Sequence, residues 1–247
     1  MNKISAVIIT KNEARNITNC ISSLTCVDEI VVMDTGSTDN TVAICKSLGC
    51  QVYSIPWTGF GPAKRRVVEA AANDWILSID ADEVLSTALR TEIGRMKQAG
   101  FGPYSYRIKR LSYYLGQPIH FCGWNKDQPL RLFNRLQGTF NEAPVHESVI
   151  SSAPKKTCKN LMHHYTYPTL ESHFAKMKLY AELNVGKTRS KNKLVTSSPL
   201  SAWMRGVMKF LKMYVLQLGF LDGYKGFLLC KNSAWGVWYK YHLLCQR

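Results

Sequence analysis

Short apolar runs alternate with helical segments over the first 80 residues, and this alternation is the feature that most constrains the fold. Strands are predicted at residues 4–10, 29–33, 51–55 and 75–79. Three helices are predicted. The first covers residues 13–24, the second begins with a cap at Ser37 or Thr38 and is ended by Gly49, and the third covers residues 63–72. Continuous apolar strands separated by helices predict an α/β fold with a Rossmann-like, mostly parallel sheet and helices on both faces.

The pattern changes after about residue 100. The segments 104-YSYRIKR-110 and 129-PLRLFNR-135 lie among Gly and Pro and predict an antiparallel addition to the sheet. Helices are predicted at 169–190 and 200–220, and the aromatic tail 221–247 shows no decisive pattern. We therefore expect a first domain over 1–165, with halves of about 1–100 and 101–165, and a helical extension over 166–247.

Positive charge is concentrated in the last part of the chain. The net charge is +15, with 16 Lys and Arg against 3 Asp and Glu in residues 151–247 and 16 against 14 in the rest. This asymmetry favours a polyanionic partner for the C-terminal part, either nucleic acid or an anionic membrane surface. A basic face that is merely solvated is the alternative.

Targeting and cysteine patterns favour a cytosolic protein. The N-terminal apolar run, Ile4–Thr10, is short and is closed by Lys11, so a signal peptide is not expected. No apolar span reaches the ~18 residues of a transmembrane helix. The eight cysteines show neither CxxC nor zinc-ligand spacing, which predicts reduced thiols.

Polar residues follow three of the predicted strands, where open α/β sheets bind their ligands. Those after the first strand are Thr10, Asn12 and Glu13; those after the second are Asp34, Ser37 and Asp39; those after the fourth are Asp80 and Asp82, separated by Ala81. We take all nine as candidates for one binding site.

In the stretch 75-WILSIDADE-83, an apolar strand is followed directly by three carboxylates. The chain has neither GxGxxG nor GxxxxGK[ST], so a bound diphosphate needs another counter-charge. Asp80 and Asp82 can share one Mg²⁺ or Mn²⁺, ions that prefer oxygen ligands and often bind substrate phosphates. Exposed acids that cap the next helix are the alternative.

The order and spacing of three segments resemble the family-2 glycosyltransferases of the GT-A fold. These segments are 6-AVIITKNEARNI-17, 30-IVVMDTGSTDNT-41 and 73-NDWILSIDADE-83. The resemblance implies that the first and second strand ends hold the nucleoside of a UDP-sugar, with Asp34 at the uracil or ribose. It also places Lys64, in 59-GFGPAKRR-66, at the nucleotide, although Ala63 and Arg65 replace the Gln and Asn common in the family.

Inverting glycosyl transfer needs a carboxylate to accept the proton of the acceptor hydroxyl. The segment 129-PLRLFNR-135 followed by 143-APVHESV-149 resembles lipopolysaccharide-core glucosyltransferases within family 2. The resemblance implies that Glu147 is the base, that His146 assists the metal or the phosphates, and that Arg131 orients the acceptor.

Alternatives to these roles remain open from the sequence. Glu147 could be a surface glutamate paired with a lysine, and His146 could be structural. Asp127, in 124-WNKDQ-128, is the second candidate for the base. The Gln-x-x-Arg-Trp motif of processive synthases is absent, which favours addition of a single sugar.

The predicted helix after residue 199 is amphipathic. On a helical wheel one apolar stripe contains Trp203, Val207, Phe210, Leu211, Tyr214 and Leu218, and Arg205, Lys209 and Lys212 lie on the far side. The tail adds the interface-favouring residues Trp235, Trp238, Tyr239 and Tyr241. Such a helix fits an anionic bilayer surface, while packing of the stripe in a core is the alternative.

Taken together, the resemblance implies an inverting, metal-dependent enzyme that moves one hexose, expected to be glucose, to a heptose of the lipopolysaccharide inner core. The segment 219-GFLDGYKGF-227 also resembles the end of those enzymes. The expected location is peripheral, at the cytoplasmic face of the inner membrane, beside a lipid-anchored acceptor. The competing hypotheses are a nucleic-acid-binding protein, disfavoured by the acidic cluster and the lack of a binding motif, and a nucleotidyltransferase.

Overall fold

The chain divides into two compact units. A computed structural model describes residues 2–143, 147–190 and 198–245. The first unit comprises Met1–Arg110 and Asp127–His164, and the second comprises Leu111–Lys126 and Tyr165–Arg247. The second unit therefore takes in Leu111–Lys126, a segment that the sequence prediction places in the first domain.

The first unit is built on a mixed sheet. The strands of the chain are β1 (Ile4–Thr10), β2 (Glu29–Asp34), β3 (Gln51–Ser54), β4 (Trp75–Ser78), β5 (Glu83–Leu85), β6 (Ser105–Tyr114), β7 (Gln117–Pro118), β8 (Leu130–Asn134), β9 (Gly138–Phe140), β10 (Val149–Ser151) and β11 (Lys155–Tyr167). Of these, β7 and the end of β6 with which it pairs belong to the second unit, as does the end of β11 from Tyr165. The main order is β3-β2-β1-β4-β8-β6-β11-β5, while β9 and β10 form a separate pair. The first four strands of this order are parallel, and β8 joins β4 antiparallel.

Helices cover both faces of this sheet. They are α1 (Ile17–Ser22), α2 (Thr41–Ser47), α3 (Phe60–Ala70) and α4 (Thr87–Ala99). Alternate β1 side chains face opposite ways: Ile8 joins the core that contains α1 and α4 residues, and Val7 joins the core that contains α3 residues. The predicted α/β fold with helices on both faces is confirmed.

The helix after β2 begins later than predicted. Neither Ser37 nor Thr38 caps it; α2 starts at Thr41, whose backbone N–H donates to the Asp39 carboxylate at 3.0 Å. The Ser37 hydroxyl instead donates to Asp34, which holds the chain in a turn before the helix can start.

The second unit is mainly helical. Its helices are α5 (Leu170–Ser190), α6 (Pro199–Leu211) and α7 (Gly223–Cys245), with a π-helical turn at Lys212–Leu216 and a 3-10 turn at Gly219–Asp222. The predicted helix at 169–190 is confirmed. The continuous helix predicted over 200–220 is wrong, because a π-helical turn follows Leu211 and Leu218 then adopts a left-handed backbone conformation, φ 56°, which ends the helical path.

The tail 221–247 forms α7, which packs against α5 and α6 over its described part. Its Trp238 lies over Gly206 of α6, where a Cβ would be 3.2 Å from the Trp238 Cβ. Trp235 packs edge-on against Phe174 of α5, with ring centroids 5.3 Å apart. Trp235 and Trp238 therefore contribute to helix packing while staying partly exposed, and contact of the tail aromatics with lipid stays a prediction.

A buried polar network lies in the core of the second unit. The Tyr114 hydroxyl lies 3.1 Å from His173 Nδ1 and accepts a hydrogen bond from Asn232 at 3.0 Å. Burial, with a smaller effect from Lys176, lowers the pKa of His173 to about 4, so this imidazole is neutral at pH 7. The network thus joins β6, α5 and α7 without burying a charge.

Two simpler expectations can be compared with the described residues. All eight cysteines are free thiols. Within residues 2–143, 147–190 and 198–245, none of the helices is both long enough and apolar enough to cross a bilayer.

Candidate active site

Two loops at the carboxyl end of the sheet are tied together by the side chains predicted to bind the nucleoside. Asn12 Oδ1 accepts from the Thr38 N–H at 2.7 Å, and the Asn12 N–H donates to the Ser37 hydroxyl at 2.9 Å. The Glu13 N–H donates to the Thr41 hydroxyl at 2.8 Å. The loops after β1 and β2 therefore form one preorganised edge.

Asp34 and Thr10 lie at the base of this edge. One oxygen of the buried Asp34 carboxylate accepts from the N–H groups of Gly36 and Ser37, each at 3.0 Å. The other oxygen accepts from the Ser37 hydroxyl, so Asp34 holds its own loop with both carboxylate oxygens. The Thr10 hydroxyl is buried without a hydrogen-bond partner among the described residues, which marks a polar group that a ligand could satisfy.

Asp80, after β4, lies between two cations. Its Oδ1 accepts from Lys64 Nζ at 2.8 Å, and its Oδ2 accepts from Arg131 Nη2. Burial alone would raise the pKa of Asp80, but the charges of Arg131 and Lys64 hold it well below its usual range. Asp80 is therefore ionised at neutral pH, and both of its oxygens are engaged.

A second carboxylate, that of Glu83, binds the groups that surround Asp80. Glu83 is fully buried, and its Oε1 accepts from Arg131 Nη2 at 2.6 Å and from Arg110 Nη1 at 3.0 Å. Its Oε2 accepts the Asp80 N–H at 2.8 Å. Arg110 also binds Asp127 through Nε at 2.8 Å. Glu83 thus fixes the two arginines that hold Asp80 and Asp127.

Glu147, the predicted base, belongs to the same network. Its Oε1 lies 2.8 Å from Lys64 Nζ, the ammonium that also binds Asp80. The Lys64 side chain is only 4% exposed, so this pair differs from the surface glutamate–lysine pair that was the alternative interpretation. Asp127, the second candidate, is partly exposed and bound by Arg110. His146 lies outside the described residues.

Asp82 lies beside an imidazole that the sequence prediction does not include. His164 Nε2 is 3.5 Å from Asp82 Oδ2. The antiparallel pairing of β11 with β5 sets His164 opposite Glu83, which explains why a residue so distant in sequence meets the acidic loop. Only this strand pairing could have identified His164.

The donor set of Asp82 and His164 suits a divalent cation. Carboxylate oxygen and imidazole nitrogen are ligands that Mn²⁺ accepts, and Mg²⁺ often keeps its other positions for water and substrate phosphates. Within the described ranges, no group of three or more His, Cys, Asp or Glu residues is arranged to hold a metal. Asp82 is the better-placed ligand of the predicted pair, because Asp80 is already bound by Lys64 and Arg131.

Two other predicted residues have different surroundings from those expected. Ala81 is part of the hydrophobic core, so only its backbone could contact a nucleotide. Arg131 is buried against Asp80 and Glu83 and is placed to hold the acidic loop. The sequence prediction counts Glu83 among the three carboxylates after β4 but gives it no role, and it misses Arg110, which comes from a strand of the antiparallel addition.

Comparison with known proteins gives the class to which this fold and site belong. Residues 5–151 match the family described as glycosyl transferase family 2. The chain therefore belongs to that family and is a glycosyltransferase. Its α/β architecture with a C-terminal helical region agrees with the fold class predicted from the sequence.

Two relatives illustrate the similarity. The chain is 32% identical over 244 residues to the uncharacterized glycosyltransferase RP128 of Rickettsia prowazekii (strain Madrid E), covering 92% of this chain and 82% of that protein. It is 33% identical over 153 residues to the lipopolysaccharide core biosynthesis glycosyltransferase LpsC of Rhizobium meliloti (strain 1021), covering 60% of this chain and 57% of LpsC.

Among solved structures, the chain is similar to glucosyl-3-phosphoglycerate synthase from Mycobacterium tuberculosis. That crystal structure contains Mn²⁺, UDP and glucosyl-3-phosphoglycerate. The two are 27% identical, with a TM-score of 0.37, over 45% of this chain and 44% of the other.

Proposed function

We propose that the chain is an inverting, divalent-metal-dependent transferase that moves one glucose from a UDP-sugar to a heptose of the lipopolysaccharide inner core. The observation that carries the proposal is the buried Lys64, which joins Glu147 and Asp80 at 2.8 Å each. This bridge puts a candidate base within one ion network with the acidic loop after β4. The similarity to LpsC supports the choice of the lipopolysaccharide core as the acceptor.

The donor is assigned to the edge formed by the loops after β1 and β2. Thr10, Asn12, Glu13 and Asp34 face the nucleoside, and Ser37 and Asp39 shape the loop that receives it. The unsatisfied Thr10 hydroxyl supports this placement, since a bound ribose or base could supply its missing partner.

Asp82 and His164 would hold the cation, and Asp80 would stay with Lys64 and Arg131. When bound, the metal supplies positive charge opposite the leaving diphosphate. Lys64 is a second source of positive charge near that diphosphate. In this revised assignment Arg131 is a positioning residue for Asp80, which replaces its predicted role at the acceptor.

Glu147 would act as the general base. Its carboxylate accepts the proton of the acceptor hydroxyl while the hydroxyl oxygen forms a bond to the anomeric carbon. The bond between that carbon and the diphosphate oxygen breaks, and UDP leaves with the electron pair. Attack opposite the leaving group gives inversion, so a covalent sugar–enzyme species is not needed.

The acceptor proposed here is a lipid-anchored oligosaccharide at the cytoplasmic face of the inner membrane. The cationic C-terminal part supports this location, because anionic lipid and inner-core phosphates both attract Lys and Arg. Family membership favours a glycosyltransferase over the nucleic-acid-binding protein and the nucleotidyltransferase considered from the sequence.

The proposal is tested by transfer to a defined acceptor. Purified protein with Mn²⁺ is incubated with core oligosaccharide that ends in heptose, and UDP-glucose, UDP-galactose or GDP-mannose is supplied separately. We expect mass spectrometry to show one added hexose with UDP-glucose and none with GDP-mannose. A core without heptose is the control acceptor. Repeated addition, or failure with both UDP-hexoses, would contradict the proposal.

A further inference from the structure

An unusually apolar surface lies on one segment of the second unit. Its members are large apolar side chains that are exposed to solvent: Leu200, Trp203, Met204, Val207, Met208, Leu211, Val215, Leu216, Leu218, Phe220, Leu221 and Tyr224. We call this set the apolar ridge. Elsewhere in the described residues, exposed large apolar side chains are scattered, as is normal for a protein surface.

The ridge is a continuous face of α6. Its six members between Leu200 and Leu211 are spaced at three and four residues, which places them within an arc of about 140° at 100° per residue. The side of the helix that faces α7 is also apolar and is buried through Ala202 and Gly206, while Lys209 lies directly opposite the ridge. Packing within the unit therefore accounts for one face of α6, and the residues that the structure describes leave the ridge exposed.

The apolar stripe predicted from the sequence combines residues of the exposed ridge with residues of the buried side of the helix. Phe210 and Tyr214 pack in the core of the second unit, with ring centroids 5.1 Å apart, whereas Trp203, Val207, Leu211 and Leu218 are exposed. Core packing is thus observed for Phe210 and Tyr214, while bilayer contact stays a prediction for the exposed residues.

The ridge continues beyond α6 through the irregular turns. Leu216 in the π-helical turn is 78% exposed and Tyr224 at the start of α7 is 70% exposed. Gly219 and Asp222 fix the shape of this segment, because Asp222 is buried and accepts the N–H groups of His120 and Phe121 at 2.9 Å each. The exposed apolar side chains are therefore presented on an anchored backbone.

Apart from the buried Asp222, the Asp, Glu, Lys and Arg side chains of residues 198–245 are all basic. Residues 198–245 contain six Lys and Arg, namely Arg205, Lys209, Lys212, Lys225, Lys231 and Lys240, and their single acid is the buried Asp222. On the α6 wheel, Arg205 and Lys212 flank the ridge on one side, and both are exposed. Two copies that met through their ridges would bring these cations together, whereas an anionic lipid surface would neutralise them.

We propose that the apolar ridge inserts into the headgroup region of an anionic lipid bilayer, with Arg205 and Lys212 against the lipid phosphates. The combination of exposed Trp, Leu, Met and Phe side chains with a cationic flank is the pattern of helices that lie in a membrane interface. The inference specifies the membrane contact of the proposed function, but the observations that carry it do not depend on sugar transfer.

The test is vesicle co-sedimentation of the full chain without substrates. Met204→Asp/Met208→Asp is compared with Leu136→Asp/Ile150→Asp, which makes the same charge change at exposed apolar residues of the first unit. With phosphatidylglycerol vesicles, we expect the ridge variant to bind at least about tenfold more weakly than wild type. The control variant should bind within about twofold of wild type.

Two further readouts distinguish insertion of the ridge from a general charge effect and from self-association. The dependence of binding on phosphatidylglycerol content should become weaker in Arg205→Gln/Lys212→Gln. Equal vesicle binding by both aspartate variants would overturn the inference. So would a wild-type protein that forms dimers and does not bind vesicles, if the ridge variant is a monomer. Hydrolysis of UDP-glucose without acceptor should be equal in wild type and the ridge variant, so failure of sugar transfer and failure of membrane binding are distinguishable.

Discussion

Glu147→Gln is expected to lower kcat by about 10²- to 10⁴-fold while leaving the affinity for UDP within about twofold of wild type. Glutamine keeps the size of the side chain but cannot accept the proton of the acceptor hydroxyl. Because Lys64 also binds Asp80 at 2.8 Å, the ammonium retains a partner when the Glu147 charge is removed. The loss should therefore appear in turnover, measured by product formation at saturating donor.

Glu142→Gln is the matched control. Glu142 is 79% exposed and pairs with the partly exposed Arg65, so the same chemical change there should leave kcat within about twofold of wild type. If Glu147→Gln is fully active, the base has been misassigned, and Asp127→Asn becomes the next variant to measure. Unchanged circular dichroism in both variants would show that the comparison concerns catalysis.

Arg131→Met is expected to reduce the free energy of unfolding by about 3–5 kcal/mol, the typical cost of removing one partner from a buried ion network. Arg131 binds Asp80 and the fully buried Glu83, and methionine would leave Arg110 as the remaining cation near Glu83. The measurement is urea unfolding followed by circular dichroism, with the midpoint and slope compared between variants.

Arg107→Met on β6 is the control for this prediction. Arg107 is exposed, and surface substitutions usually change stability by less than about 0.5 kcal/mol. A loss in Arg131→Met no larger than in Arg107→Met would show that the network does not support the acidic loop. In that case the sequence-based role of Arg131 at the acceptor would regain support.

The parallel half of the sheet and its polar edge could be predicted because their information is local. An apolar run such as Trp75–Ile79 that ends in Asp80 identifies both a buried strand and its carboxyl end. Asp34 is the last residue of β2 and Thr10 the last residue of β1, so the parallel pairing of these strands with each other and with β4 places all three ends at one edge of the sheet.

The rest of the site depends on long-range pairing that no local pattern encodes. His164 reaches Asp82 only because β11 returns antiparallel to β5, and Arg110 reaches Glu83 from a strand added after the parallel half. Hydrophobic periodicity could not decide which side of α6 is buried, since both sides are apolar. The small residues Ala202 and Gly206, which allow α7 to approach closely, indicate which side of α6 is buried.

The central claim is that the loop after β4 uses a divalent cation to bind a sugar-nucleotide diphosphate. Calorimetric titration of UDP into wild type, Asp82→Asn and the exposed surface control Asp74→Asn, each with Mn²⁺ and with EDTA, measures this directly. We predict Mn²⁺-dependent UDP binding in wild type and Asp74→Asn, weakened about 10- to 100-fold in Asp82→Asn. UDP binding of equal strength with Mn²⁺ and EDTA, or binding unaffected by Asp82→Asn, would contradict it.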